Sequence, residues 1–297
     1  MNETLNVGAT PRHTGLRPRT SRPGQARFAT LPQAGIDILP RDKWLPLDLS
    51  RADPSPMDQD GRNACASFAA VQAFHLARQA AGLPFHILSP GSLYARVNGG
   101  SDQGSSLEDN LQELLDRGVS TAAAVPILAW RMRDLPTNWQ TEAANNKITE
   151  AWDCPTFDAL ATALTRGDPV AFGINVGNSF EPAADGWIPY HRGSAGHGLA
   201  GEALCCKPKP GTRWATIPAT APEHLDALPE AIAQDAVHWG IRTPNSWADW
   251  GLLDSRGKRY GIIPEQYFTA SPFNDGWAIR VVTQTQSVRQ QKELAHA

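Results

Sequence analysis

Cysteine is scarce in this chain: Cys65, Cys154, Cys205 and Cys206 are the only four among 297 residues. Over such a length, that is too few for the disulfide framework of a small secreted domain. The one adjacent pair, Cys205–Cys206, is badly placed to bridge, because neighbouring strand side chains point to opposite faces. A reducing compartment is the simplest reading. Long apolar runs are also missing. None approaches the ~18 residues that a bilayer-spanning helix needs, and the first residues lack the apolar stretch of a secretory signal. The expectation is a cytoplasmic protein, or one exported without a conventional signal peptide. Neither sign of charge is in excess. The net charge of −3 gives no general drive toward nucleic acid or an anionic membrane. No P-loop, G-x-S-x-G elbow or H-E-x-x-H is present. His224 and His238, near Cys205 and Cys206, lack zinc-like spacing, so no metal site is expected. GHGLAG at 196–201 matches the dinucleotide fingerprint only formally: no buried strand precedes it, and Lys207-Pro208-Lys209-Pro210 follows where a helix should continue.

What remains is a globular composition, 41% hydrophobic and 19% charged, with length enough for one large core or two smaller ones. Residues 1–30 stand apart. Arg12, Arg17, Arg19, Arg22 and Arg27 face Glu3 alone, so the segment carries +4 and the remainder −7. Pro11, Pro18 and Pro23 forbid a long helix. No secondary structure is assigned to this segment, which reads as a solvated tail.

The first half of the chain is helical. CASFAAVQAFHLARQAAG continues from about Ala64 to Gly82 with few polar positions, so most of its circumference should be buried. Ser105 with Glu108 three residues on reads as a capping box, followed by Leu107, Leu111, Leu114 and Leu115 at helical spacing and ended by Gly118. Residues 120–152 are irregular, with Trp130, Trp139 and Trp152 as core anchors, and a third helix is expected from Thr156 to Arg166. After Gly167 the texture changes to strands at 170–176, 197–206, 237–242 and 277–282. Helices followed by strands, without βαβ alternation, argue an α+β fold with two segregated layers.

The organising stretch is QDGRNACASF at 59–68, where a polar loop runs into the first helix and Cys65 stands at the junction. With Asn63 as cap, Cys65 lies in the first turn, where free N–H groups and the macrodipole favour a thiolate. A lone cysteine there is more often a small buried core residue. His197 and Asn245, the latter in NSWADWG, are each weak signals as well. Together, in the order Cys, His, Asn, they are a nucleophile, a base and a group that orients the base.

With these residues the chain resembles the papain-like cysteine peptidases. Gln59 stands six residues before Cys65, where the family carries its oxyanion glutamine. His197-Gly198 resembles the family's histidine at the opening of a strand, and Asn245, Ser246, Trp247, Trp250 and Gly251 match its NSW…WG motif. GSSLEDNLQELLDRGV resembles the segment whose glycine-rich start binds substrate backbone, which points to Gly104 and Ser105; Gly196 and Trp247 complete the implied substrate-binding set. The similarity spans roughly residues 45–282. The resemblance implies a helical left half, with a central active-site helix packed on an antiparallel, barrel-like right half, and an active site in the cleft between them. It divides the chain into a basic tail or short prosegment (1–36), a mainly helical half (37–155), a mainly β half (156–285) with an insertion at about 207–236, and a disordered C-terminal tail (286–297). Catalytic roles fall to Cys65, His197, Asn245 and Gln59. The implied activity is that of an endopeptidase, working through a thiolate–imidazolium pair and an acyl-thioester on a peptide or protein substrate, with no cofactor and no nucleic-acid or membrane partner, as a monomer.

Three departures stand out. Ala66 replaces the family's tryptophan after the nucleophile, and Arg62 replaces the cysteine that braces the loop in secreted relatives. The long helical propeptide is missing. Such features resemble a bacterial branch with short N-terminal segments lying over the cleft, so part of residues 1–35 is expected to cover the site and restrain it. The same chemistry would serve an acyltransferase or deamidase, and the fold alone a silent binding module.

Overall fold

A computed structural model describes residues 4–7, 10–19, 28–52, 57–209, 237–270 and 275–282. The turn at 53–56, most of the 207–236 insertion and the 286–297 tail lie outside the described residues. Among the described residues six α-helices run in chain order: α1 Cys65–Ala80, α2 Pro90–Val97, α3 Leu107–Asp116, α4 Trp139–Ala144, α5 Phe157–Thr165 and α6 Gln266–Thr269. The strands are β1 Thr4–Val7, β2 Thr10–His13, β3 Glu150–Asp153, β4 Val170–Val176, β5 Ala195–Gly201, β6 Ala203–Pro208, β7 Val237–Thr243, β8 Leu252–Leu253, β9 Arg259–Pro264 and β10 Gly276–Arg280. The class is α+β, and all named strands pair antiparallel.

Helix α1 is the axis. It is rich in alanine, the best helix former, and is buried from Cys65 to Arg78 because it has neighbours on every side. Ala66, Ala69, Ala70, Ala73 and Phe74 share one core cluster with Leu107, Leu111 and Leu114 of α3 and with Ala171, Ala200, Trp277 and Ile279 of the sheet. That sheet runs β3-β10-β4-β5, so the C-terminal strand β10 is laid between β3 and β4. Period-two alternation divides its faces. Ala171 and Ala200 turn to α1, whereas Phe172 and Leu199 join α5 and the second sheet, β6-β7-β9-β8, in the largest cluster. The two sheets do not close into the barrel expected of the β half. The segment 197–206, read as one strand, is two: Glu202 takes the chain from β5 in one sheet to β6 in the other, and Arg242 holds the corner by donating Nε to Glu202 Oε1 at 2.7 Å.

Local signals shifted by a residue or two. Asn63 does not cap α1; the cap position is Ala64, without a side-chain bond, and the Asn63 amide turns away to donate to the Asp102 carbonyl at 2.8 Å. The cap of α3 is Ser106, accepting from the Asp109 N–H, and not Ser105 with Glu108. Thr156 caps α5 as expected, accepting from Ala159 N–H. Trp152 is buried, while Trp130 and Trp139 are half-buried. All four cysteines are free thiols.

The tail is structured where it is described. β1 and β2 form a hairpin, and residues 14–19 follow without regular secondary structure except for a bridge from Leu16 to Ser105. Further on, Phe28 and Leu31 are core residues, and Ala29 accepts a hydrogen bond from Asp153 N–H at 2.9 Å, so the chain from 28 onward is part of the folded body.

Candidate active site

The site forms where the N-terminus of α1 meets the start of β5. Gly198 makes that approach feasible: a Cβ there would stand 3.0 Å from Ala66 Cα and 3.2 Å from the Cys65 carbonyl carbon. Any larger residue at 198 would push the sheet off the helix end. Gly198 thus lets the head of α1, with Cys65, meet the strand that carries His197, and both side chains are wholly buried.

His197 Nε2 lies 2.8 Å from Asn245 Oδ1. Because a carbonyl oxygen only accepts, Nε2 carries the proton and Nδ1 keeps a lone pair in the neutral ring. Nδ1 is buried and has no hydrogen-bond partner among the described residues. Trp247 stacks on the imidazole at 4.3 Å and 22°, and Phe180 meets it edge-on at 6.4 Å. These rings exclude water from the His197–Asn245 bond and fix the ring plane.

Gln59 sits on the other flank of Cys65. Its position is over-determined: its N–H donates to Ser246 O at 2.9 Å, and the Ser246 hydroxyl donates to its Oε1. The amide nitrogen is thereby aimed into the cleft. The loop that carries Gln59 is braced by Asp102, whose carboxylate accepts from Asn63 N–H at 3.0 Å and Tyr94 O–H at 2.7 Å and lies 3.7 Å from Arg62. Tyr94 Oη accepts from Gly104 N–H at 3.1 Å, so one hydrogen-bonded chain links Asn63 to Gly104. Arg62, at the position of the family's bracing cysteine, therefore contributes to the same brace by charge.

The cleft is filled by the chain's own residues 13–17. The His13 carbonyl accepts from Gln59 Nε2 at 3.1 Å and Trp247 Nε1 at 3.2 Å. Gly15 N–H donates to Cys65 Sγ at 3.3 Å. Leu16 N–H donates to Gly196 O at 3.2 Å, and Ser105 both donates to Gly15 O and accepts from Arg17 N–H, each at 3.0 Å, as a parallel bridge. Gly104, at φ +82°, has no alternative: a Cβ there would lie 1.9 Å from Gly15 O. Arg12 adds an ion pair to Asp249 on the rim.

All eight residues singled out from the sequence thus meet around this segment: Gln59, Cys65, Gly104, Ser105, Gly196, His197, Asn245 and Trp247. Sequence reasoning missed Tyr94, Asp102 and Phe180, which bear no motif, and the role of Ser246, visible only as a member of the NSW run.

Burial sets the electrostatics of the site. Burial pushes the Cys65 thiol above its ordinary value, against backbone hydrogen bonds from Gly198 and Gly15 that pull it down. Burial likewise lowers His197 to about 4, opposed by its bond to Asn245. Both shifts favour the thiol and the neutral imidazole over the ion pair. Among the described residues no group of His, Cys, Asp and Glu could hold a metal, and no helix is long and apolar enough to cross a membrane.

No protein-family model matches the sequence, and no curated protein sequence does. Solved structures do. Xylellain, a cysteine protease from Xylella fastidiosa, superposes with a TM-score of 0.64 at 18% identity, covering 95% of this chain and 99% of that one. Procathepsin L 3 of Tenebrio molitor larval midgut gives 0.59 at 14% identity over 90% of this chain and 76% of its own. The ragweed pollen cysteine protease Amb a 11, in its proform, gives 0.60 at 18% identity over 90% and 73%. The structural neighbours of this α+β chain are papain-like cysteine proteases, and the fold it shares with them is papain-like.

Proposed function

We propose that the chain is a cysteine peptidase in which Cys65 is the nucleophile, His197 the base, Asn245 its orienting partner and Gln59 an oxyanion donor. The observation that carries this reading is the imidazole itself. Its Nε2 is committed to Asn245 at 2.8 Å, and its Nδ1 is buried without a partner among the described residues at the helix end that presents the thiol. An unmet ring nitrogen alone does not mark a base, since the core residue His75 has one too; what sets His197 apart is a ring oriented by Asn245 and stacked on Trp247, on the strand that meets the head of α1.

The steps balance without any cofactor. Cys65 passes its proton to His197 Nδ1, and the thiolate attacks the peptide carbonyl carbon. The oxygen that becomes negative accepts from Gln59 Nε2–H and from the Cys65 N–H, which has no partner within the helix. Imidazolium His197 then gives its proton to the leaving amine, and the acyl group remains as a thioester. Water adds to the thioester by the same route in reverse order and frees the acid. In an open cleft the thiolate and imidazolium favour one another, whereas burial under residues 13–17 supports the neutral pair. Those residues therefore act as a built-in restraint, and the active form is the uncovered one. A peptide is the natural occupant, because the cleft binds residues 13–17 through backbone groups of Ser105 and Gly196.

The test is incubation of chain trimmed of its first 19 residues with a fluorogenic peptide library, with products read by mass spectrometry. Cleaved peptides that disappear in Cys65→Ala support the proposal. Acyl transfer to added amines or glutamine deamidation without cleavage would replace it, and no turnover in a folded, trimmed chain would refute it.

A further inference from the structure

Beside the cleft, the tail inserts a cation into the body of the protein. The Arg19 side chain is 1% exposed. It engages Asp153 fork to fork, Nη1 to Oδ1 at 2.8 Å and Nη2 to Oδ2 at 3.0 Å, and lies 4.5 Å from the centre of the Trp277 ring. Asp153 is itself completely buried. Next to them Asp275 accepts from Trp277 Nε1 at 2.9 Å through Oδ1, while its buried Oδ2 has no partner among the described residues. Burial raises the Asp275 carboxyl to about 6, against the Trp277 hydrogen bond and the charge of Arg19, which lower it. Glu108, also buried, adds a third negative group near Asp275.

This pocket and the cleft are continuous. A Cβ at Gly173 would stand 2.3 Å from Leu16 Cδ2 and 2.8 Å from Asp275 Oδ2, so the bare glycine leaves the seat of Leu16 open to the free carboxylate oxygen. The acids belong to the body, on β3 and just before β10; the cation belongs to the tail, two residues beyond the stretch that fills the cleft. If the tail is displaced as far as Arg19, Asp153 and Asp275 remain buried with no cation, an uncompensated charge that is strongly unfavourable. Whatever replaces the tail gains by restoring the charge.

We infer that the pocket framed by Asp153, Asp275 and Trp277 is a binding site for a basic side chain, filled in cis by Arg19 and, in a peptide bound in the cleft, by an arginine or lysine of that peptide. Arginine is favoured over lysine, since only the planar fork can pair with Asp153 at both nitrogens while stacking on Trp277. The substrate half of this inference rests on the peptidase reading above; the pocket half does not.

Full-length Arg19→Ala tests the pocket, with propylguanidinium as probe and thermal melting as readout. Arg19→Ala should melt below wild type, and propylguanidinium should raise its Tm, propylammonium less so; neither should move wild type. Adding Asp153→Asn should abolish the rescue. A folded Arg19→Ala that responds to both cations alike, or to neither, overturns the site. A second measurement reads the cleft instead of stability. Two peptidyl chloromethyl ketones, identical but for arginine or norleucine, are reacted with a full-length Gly15→Val, Arg19→Ala double variant, in which cleft and pocket are both vacated, and Cys65 labelling is followed by mass spectrometry. The arginine reagent should react ~10-fold faster, the equivalent of one charge-assisted bond, and Asp275→Asn should close most of that gap. Equal rates overturn the substrate half. Failure of both reagents to label Cys65, with guanidinium rescue intact, would remove the peptidase reading and leave the pocket standing.

Discussion

The backbone N–H of Gly15 donates to the sulfur of Cys65 across 3.3 Å, so the thiol at the head of α1 is engaged by the chain's own amino-terminal segment. Neighbouring contacts are of the same kind. The His13 carbonyl lies where Gln59 and Trp247 both donate, and Leu16 and Arg17 are held by backbone groups of Gly196 and Ser105. These donors and acceptors are all engaged by the amino-terminal segment.

Displacing that segment should therefore expose the thiol. A Cβ at Gly15 would fall 2.0 Å from the Asn63 carbonyl oxygen, a backbone atom that cannot yield. Gly15→Val should lift residues 13–17 and raise both the alkylation rate of Cys65 and kcat/KM on small peptides by ~10-fold or more, since a tethered blocker acts at high effective concentration. Truncation should stop before Phe28, which is packed on Trp277 at 5.5 Å. Unchanged alkylation in a folded Gly15→Val chain would show that the segment restrains nothing.

Acid should loosen the cover. The folded, covered state holds His197 near 4, below its ordinary 6.5, because the ring is buried. A depressed histidine contributes stability that is present above 6.5 and is lost as pH falls toward 4, so protons favour the uncovered state in that window. Hydrogen–deuterium exchange of the peptide containing residues 12–19 should quicken from pH 6.5 to 4 after correction for intrinsic rates. His197→Gln should flatten that dependence, and an equal acceleration in the variant would point to some other group.

Gln59 donates to the His13 carbonyl in the covered state and should donate to the oxyanion in the open one. In tail-trimmed protein, Gln59→Ala should lower kcat by ~100-fold or more with little change in KM, because the bond strengthens in the transition state. A loss confined to KM would reassign Gln59 to ground-state binding.

Asp102 should behave as a positioning residue. Its carboxylate joins Asn63, Tyr94 and Arg62, and through Tyr94 reaches Gly104. Asp102→Ala leaves these buried donors unmet, at about 1–3 kcal/mol of stability. In trimmed protein it should lower kcat together with a weakened KM, as both sides of the cleft lose register, while Asp102→Glu should restore part of each. A variant that loses only Tm and keeps its kinetic constants would make the brace merely structural.

Much of this was written in the sequence. The residues of the nucleophile helix, the strand opening at His197 and the NSW run carry their identity in local pattern, because small residues, helix formers and a polar loop specify their own backbone. Strand β4 is bounded as its apolar run predicted. Cap identities were off by one residue at Ser106, since a serine on either side satisfies the same local rule and packing of Leu107 chooses between them. The break at Glu202 had no local signal; it is imposed by the buried Arg242 on a strand forty residues away in sequence. The tail was the largest gap. Its prolines and arginines describe a chain with no core of its own, and only the cleft, by offering backbone partners to Gly15 and Leu16 and buried acids to Arg19, gives it a structure. Sequence determined which groups could do chemistry here, because those groups sit in short motifs. Tertiary structure decided that they are covered and neutral, because burial and charge depend on what the rest of the fold lays over them.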